Sequence, residues 1–174
     1  MSQTEYFPIV DENGMVIGKS TRKECHSKTF LLHPVVHLHV FNAKGELYLQ
    51  KRSMDKDIQP GKWDTSVGGH VDYGEEIQQA LKREVREELG ITDFELVFAF
   101  RYTFRSNLEY EFVNTYYTLY NGYINPDPVE IAEGRFWSLN EIRQNLGKEV
   151  FTPNFESEFG LLIEKVGEMG QRNG

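Results

Sequence analysis

Residues 69–91 read GHVDYGEEIQQALKREVREELGI. Ile77, Leu81, Val85 and Leu89 recur at i, i+4, i+8 and i+12, the buried stripe of an amphipathic helix. The spacing predicts a helix over Glu75–Leu89, closed by Gly90 where a left-handed residue ends such elements. The opposite face carries Glu84, Glu87 and Glu88. At about 100° per residue, Glu88 lies near +40° and Glu87 near −60° from Glu84, so three carboxylates share an arc of about 100°. Like charges at i+3 and i+4 repel and weaken a helix. Two readings account for them. Either Arg83 and Arg86 neutralise a salt-bridged, solvated face, or the carboxylates hold a cation; hard oxygen ligands select Mg²⁺, Mn²⁺ or Ca²⁺.

The flanking segments are rich in strands. FPIVDENGMVIGKS (7–20) reads as a hairpin turning at Asp11-Glu12-Asn13-Gly14, with Asn-Gly supplying positive φ. Strands are expected over Val35–Phe41 and Glu46–Lys51, joined through Asn42-Ala43-Lys44-Gly45. Alternation puts Val36, Leu38 and Val40 on one face, and Val35, His37, His39 and Phe41 on the other. His37 and His39 are taken as strand residues without a chemical role. DIQPGKWDTSVGGHV (57–71) is a Pro/Gly loop entering a short strand, and FELVFAFRYTF (94–104) and EYEFVNTYYTLYNGYI (109–124) are long aromatic strands. GRFWSLNEIRQNLGK (134–148) is a strand and a helix, with Ser138 and Glu141 forming a capping box; Thr152-Pro153 opens the last helix. Strands around two or three helices imply an α/β sandwich.

The chain has 174 residues, 39% hydrophobic and 13% aromatic, which fits one ordinary globular domain. Its net charge of −8 and pI near 5.2 oppose binding to nucleic-acid backbones or anionic membranes, so cations must lie between the protein and a phosphate-bearing substrate. A single cysteine, Cys25, excludes an intramolecular disulfide. MSQTEYFPIV is not a signal peptide, and no run approaches the roughly 20 apolar residues of a membrane span. A cytoplasmic location is expected.

Gly69, Glu75, Arg83-Glu84-Val85, Glu87-Glu88 and Gly90-Ile91 resemble, at every defined position, the G-x5-E-x7-R-E-U-x-E-E-x-G-U box of the Nudix hydrolases, where U is a bulky aliphatic residue. Chance agreement is on the order of 10⁻⁸–10⁻⁹ per start position. The resemblance implies a Nudix α/β/α sandwich with a mixed sheet and an N-terminal β-hairpin. It implies one domain over 1–174: hairpin and lead-in over 1–30, the box over 69–91, and a flexible tail over 168–174. It also implies that Glu84, Glu87 and Glu88 ligate Mg²⁺ (or Mn²⁺), that the backbone of Gly68 and Gly69 approaches the metal or diphosphate, and that Glu75 and Arg83 brace the loop against the helix. The implied reaction is hydrolysis of a small-molecule diphosphate linked to another group, by a monomer or homodimer.

The chain also resembles the type 1 isopentenyl-diphosphate isomerases. VDENGMVIGKSTRKECH (10–26) resembles their first hairpin, and His26 and His33 stand seven apart, as do two of their metal-binding histidines. His70 falls where a third occurs, and Glu109 and Glu111 resemble their remaining metal-site glutamates. The resemblance implies a second metal site of His26, His33, His70, Glu109 and Glu111. The isomerases place a catalytic thiol in S-V-C-G-H; the matching stretch here is Ser66-Val67-Gly68-Gly69-His70. Glycine neither gives nor takes a proton.

Three functions stay open: a diphosphohydrolase, an isomerase-like enzyme, and a non-catalytic diphosphate-binding module. Arg52, Arg101 and Arg105 are candidate phosphate clamps, since a guanidinium fork matches phosphate oxygens. Tyr102, Phe104, Tyr110, Phe112, Tyr116 and Trp63 either stack on substrate or form core. The general base is expected among the box glutamates, Glu109, Glu111, Glu130 and Glu133.

Overall fold

The computed structural model describes residues 3–172. A hairpin of β1 (Tyr6–Val10) and β2 (Val16–Thr21) leads through a short α1 (Arg22–Cys25) to β3 (Leu32–Phe41), which is buried along its whole length. There follow β4 (Leu47–Arg52), β5 (Trp63–Asp64), β6 (Val67–His70), α2 (Ile77–Leu89), β7 (Val97–Arg105), β8 (Tyr110–Leu119), β9 (Ile131–Trp137), α3 (Leu139–Asn145) and α4 (Pro153–Arg172).

One mixed sheet runs β5-β4-β3-β8-β7, with β6 on β3 and β9 on β4. β3 and β8 are parallel in continuous register from Leu32–Tyr110 to Phe41–Leu119, which brings His33 opposite Glu111. β6 pairs antiparallel with β3 and sets Gly68 opposite His37. The predicted alternation of β3 is observed. Val36, Leu38 and Val40 pack with Val67, Leu81, Val85 and Leu89 under α2. Phe41 faces the other way, into a layer of Leu49, Trp63, Trp137, Ile142, Phe155 and Leu162 under α3 and α4. Two apolar layers around one sheet make the expected α/β/α sandwich. No helix among the described residues is long and apolar enough to cross a membrane.

Details differ from expectation for local reasons. α2 begins at Ile77, because the Glu75 carboxylate is engaged outside the helix by Arg83 and by Asp72 N–H. Gly90 closes the helix at φ 67° as predicted. Ser138 caps α3 through Glu141 N–H at 3.1 Å, but the Glu141 carboxylate turns to Arg135 and completes no box. The described residues hold four helices, the extra one being α1, whose Thr21 and Glu24 do form a capping box. α4 continues to Arg172, across most of the tail expected over 168–174; residues 173 and 174 lie outside the described residues.

Candidate active site

β6 and α2 set the first half of the site. A Cβ on Gly69 would lie 2.3 Å from Glu84 Cδ, so glycine there is a packing requirement of the glutamate face. Arg83 organises the loop between the two elements. Its guanidinium donates to Glu75 Oε1 at 2.9 Å and Oε2 at 3.0 Å, to Glu84 Oε1 at 2.7 Å and to the His70 carbonyl at 3.1 Å. Glu75 and Arg83 do meet, and the same arginine also holds a box carboxylate and the end of β6.

The three box glutamates differ in environment. Glu87 is largely exposed, 3.5 Å from Arg83. Glu84 is mostly covered, and burial raises its carboxyl against the pull of Arg83. Glu88 is pushed well above the ordinary carboxylate range by burial and by Glu84, although Gly68 supplies a backbone hydrogen bond. Its Oε2 is buried without a partner. An orphaned carboxylate oxygen beside a second carboxylate is an unfavourable arrangement in a protein without a cation.

A second cluster lies under the hairpin. His26, His33, His70 and Glu109 place one ligand atom each within 4.8 Å of one another. The Nε2 atoms of His26 and His70 are 3.2 Å apart, and His33 Nε2 is buried without a partner while its Nδ1 is anchored on the Leu31 carbonyl at 2.9 Å. Phe7, buried in β1, stacks on His70 with ring centroids 4.5 Å apart and an interplanar angle of 4°. Burial lowers all three imidazole pKa values, His70 most, and the neighbouring histidines lower it further. Neutral imidazoles with converging lone pairs suit a transition metal. Glu111 sits beside Glu109, raised well above its usual range by burial and by that neighbour.

Other expected site residues are dispersed. Arg52 pairs with Asp64 at 3.4 Å and donates to the Ile58 carbonyl at 3.0 Å. Arg101 lines a cavity of about 400 Å³ walled by Pro8, Val16, Val71, Phe112 and Asn114, on the α2 side of the sheet. Arg105 stacks over Phe30, 4.2 Å from the ring centroid. The Tyr102 hydroxyl is taken up by Glu158 and Asn154. Trp63, Phe112 and Tyr116 are buried core. Glu130 is paired with Lys56, and Glu133 is an exposed residue of β9.

His37 and His39 lie on β3 as expected, and both meet a buried carboxylate that the sequence reading did not include. Glu158, fully buried on α4, joins His37 Nδ1 and His39 Nε2, each at 2.6 Å, and the Tyr102 hydroxyl. A signal existed: Glu158 interrupts the apolar stripe of Phe155, Phe159 and Leu162, where a charge needs a partner.

We predict that Arg83→Ala lowers both melting temperature and turnover. In a cycle with Glu75→Ala, chemical denaturation should give a coupling above about 0.5 kcal/mol; additive effects would show that the pair is idle.

Comparison with known proteins finds two kinds of relative. A family model described as NUDIX domain matches residues 31–155. An uncharacterized Nudix hydrolase of Nostoc sp. is 33% identical over 168 residues, covering 97% of this chain and 86% of the relative. An isopentenyl-diphosphate Delta-isomerase of Paenarthrobacter aurescens is 33% identical over 172 residues, covering 94% of each chain. Among solved structures, DR0079 from Deinococcus radiodurans superimposes with a TM-score of 0.75 at 25% identity, covering 88% of this chain and 96% of that one.

Proposed function

This chain belongs to the Nudix family, and from that premise we propose that it is a divalent-metal-dependent hydrolase of a small-molecule diphosphate. The observation that carries the reading is Glu88 Oε2, buried and unpartnered beside Glu84 in an intact box. Its hard oxygen donors fit Mg²⁺ or Mn²⁺. Glu84, Glu87 and Glu88 would hold the ion, with the Gly68–Gly69 backbone alongside. When bound, such an ion neutralises diphosphate charge and polarises a phosphoryl oxygen. Arg83 fixes Glu84 and the His70 carbonyl relative to α2, so loop and helix present one rigid surface. Phe7 shields the histidine cluster from water. His26, His33, His70 and Glu109, with Glu111 beside them, would hold a second metal; the orphaned His33 Nε2 supports that reading.

The histidine cluster also favours a second reading, an isomerase-like enzyme. Gly68 opposes it, because it offers no proton-transfer group. Cys25 does not replace one: it is fully buried, and burial with Glu24 and Glu109 pushes its thiol up to about 11.

Incubation with nucleoside-diphosphate and prenyl-diphosphate compounds plus Mg²⁺ separates these. Monophosphate products are expected. Metal-dependent deuterium entry at the allylic positions of isopentenyl diphosphate in D₂O would overturn hydrolysis in favour of isomerisation, and binding without turnover would leave a ligand-binding module.

A further inference from the structure

The Glu158 cluster has a side that faces Gly68. A carboxylate only accepts hydrogen bonds, so the proton in the 2.6 Å contact sits on His37 Nδ1. That contact fixes the ring. Its other edge, Cδ2–Nε2, is what a Cβ on Gly68 would meet, at 3.4 and 3.7 Å. Gly68 has no side chain to cover that edge, and the Gly68 backbone in turn reaches Glu88 through a hydrogen bond. Nε2 has no protein hydrogen-bond partner among the described residues. His39 differs: it is fully buried, and its free nitrogen, Nδ1, lies in dry core. Of the two histidines on Glu158, only His37 keeps an edge toward the site.

The charge balance agrees. Burial alone would push the His37 imidazole down, but Glu158 lifts it to about 9, with Glu111 and Asp64 adding to the effect. His37 is thus a fixed cation among carboxylates, where an anionic substrate needs a donor.

We propose that His37 is a phosphate-contacting residue: held through Nδ1 by Glu158, it turns Nε2 to an oxygen of a diphosphate lying across the Gly68–Gly69 backbone. This rests on the hydrolase reading above and assigns that site a recognition group outside the box. A charge-assisted hydrogen bond of this kind is worth on the order of tenfold to a hundredfold in affinity.

Methylenediphosphonate, which cannot be hydrolysed at the bridge, is the probe, titrated calorimetrically with Mg²⁺ into the wild type and His37→Gln. The variant is expected to bind at least about tenfold more weakly. In wild-type protein carrying nitrogen-labelled histidine, the probe should shift the His37 Nε2 resonance and leave Nδ1 nearly unmoved. This second measurement stands whether or not the variant folds. Equal affinity in a folded variant, or an unmoved Nε2 resonance on saturation, would sink the proposal and leave His37 as a strut between sheet and α4. Failure of the wild type to bind the probe at all would overturn the diphosphate reading and this one with it.

Discussion

Glu88→Gln is expected to lower kcat by about 100-fold or more while raising the melting temperature of the metal-free protein. The two effects have one cause. Glu88 is a buried carboxylate with an orphaned oxygen, set against Glu84 on the same helix face. Removing its charge relieves that repulsion and desolvation. It also removes a hard ligand. Mg²⁺ should therefore stabilise the wild type against heat more than the variant. Glu87→Gln is the control: this side chain is largely exposed, so it should lose comparable turnover with little change in metal-free stability. Near-normal turnover in both variants, measured beside their melting curves, would rule out metal ligation by the box. Excess chelator should abolish wild-type turnover, and Mg²⁺ should restore it.

Glu158→Ala is expected to cost the most stability of any single substitution considered, about 3–5 kcal/mol. It strips the acceptor from His37, His39 and Tyr102 at once, in a place closed to water. The ion pair also predicts a pH dependence. His37 is raised to about 9 from 6.5, so its contribution is complete below about 6.5 and fades as pH rises through 9. Burial opposes ionisation of Glu158, but His37 and His39 outweigh it and hold the carboxyl far below 4.5; its contribution is complete above that value and fades only in stronger acid. The pair is therefore strongest between about pH 4.5 and 6.5. Metal-free wild type should lose melting temperature from pH 6.5 to 9 more steeply than Glu158→Ala. Parallel curves would mean that the pair carries no such linkage.

The glutamate face and its brace were legible because they are local. Glu84, Glu87 and Glu88 lie within five residues, and the Glu75–Arg83 contact spans one loop and two turns of helix. The strands declared themselves by alternation, and β3 divided its side chains between the two layers as its pattern requires. The polar core was harder to read. Nothing near His37 and His39 indicates that Glu158 meets them, because that contact depends on α4 packing across β3. Arg101, a candidate phosphate clamp, and Tyr102, a candidate stacking residue, are adjacent in the sequence, yet neighbours on a strand point to opposite faces. Arg101 goes to the cavity on the α2 side, and Tyr102 goes to Glu158.

The parallel ladder between β3 and β8 constrains the order in which this chain folds. Asn114 Nδ2 reaches the Val35 carbonyl across 79 residues of chain, and the ladder joins strands comparably distant throughout. Closing so large a loop is entropically expensive and is repaid only once many of those pairs exist together. The intervening segment, including β6 and α2, must be compact before the strands meet. The box peptide alone thus carries three glutamates but no surface to hold them in place, and the histidines come into line with Glu109 only once β3 and β8 have paired. Metal-binding competence should appear during refolding with the slow, cooperative final phase, well after helix formation.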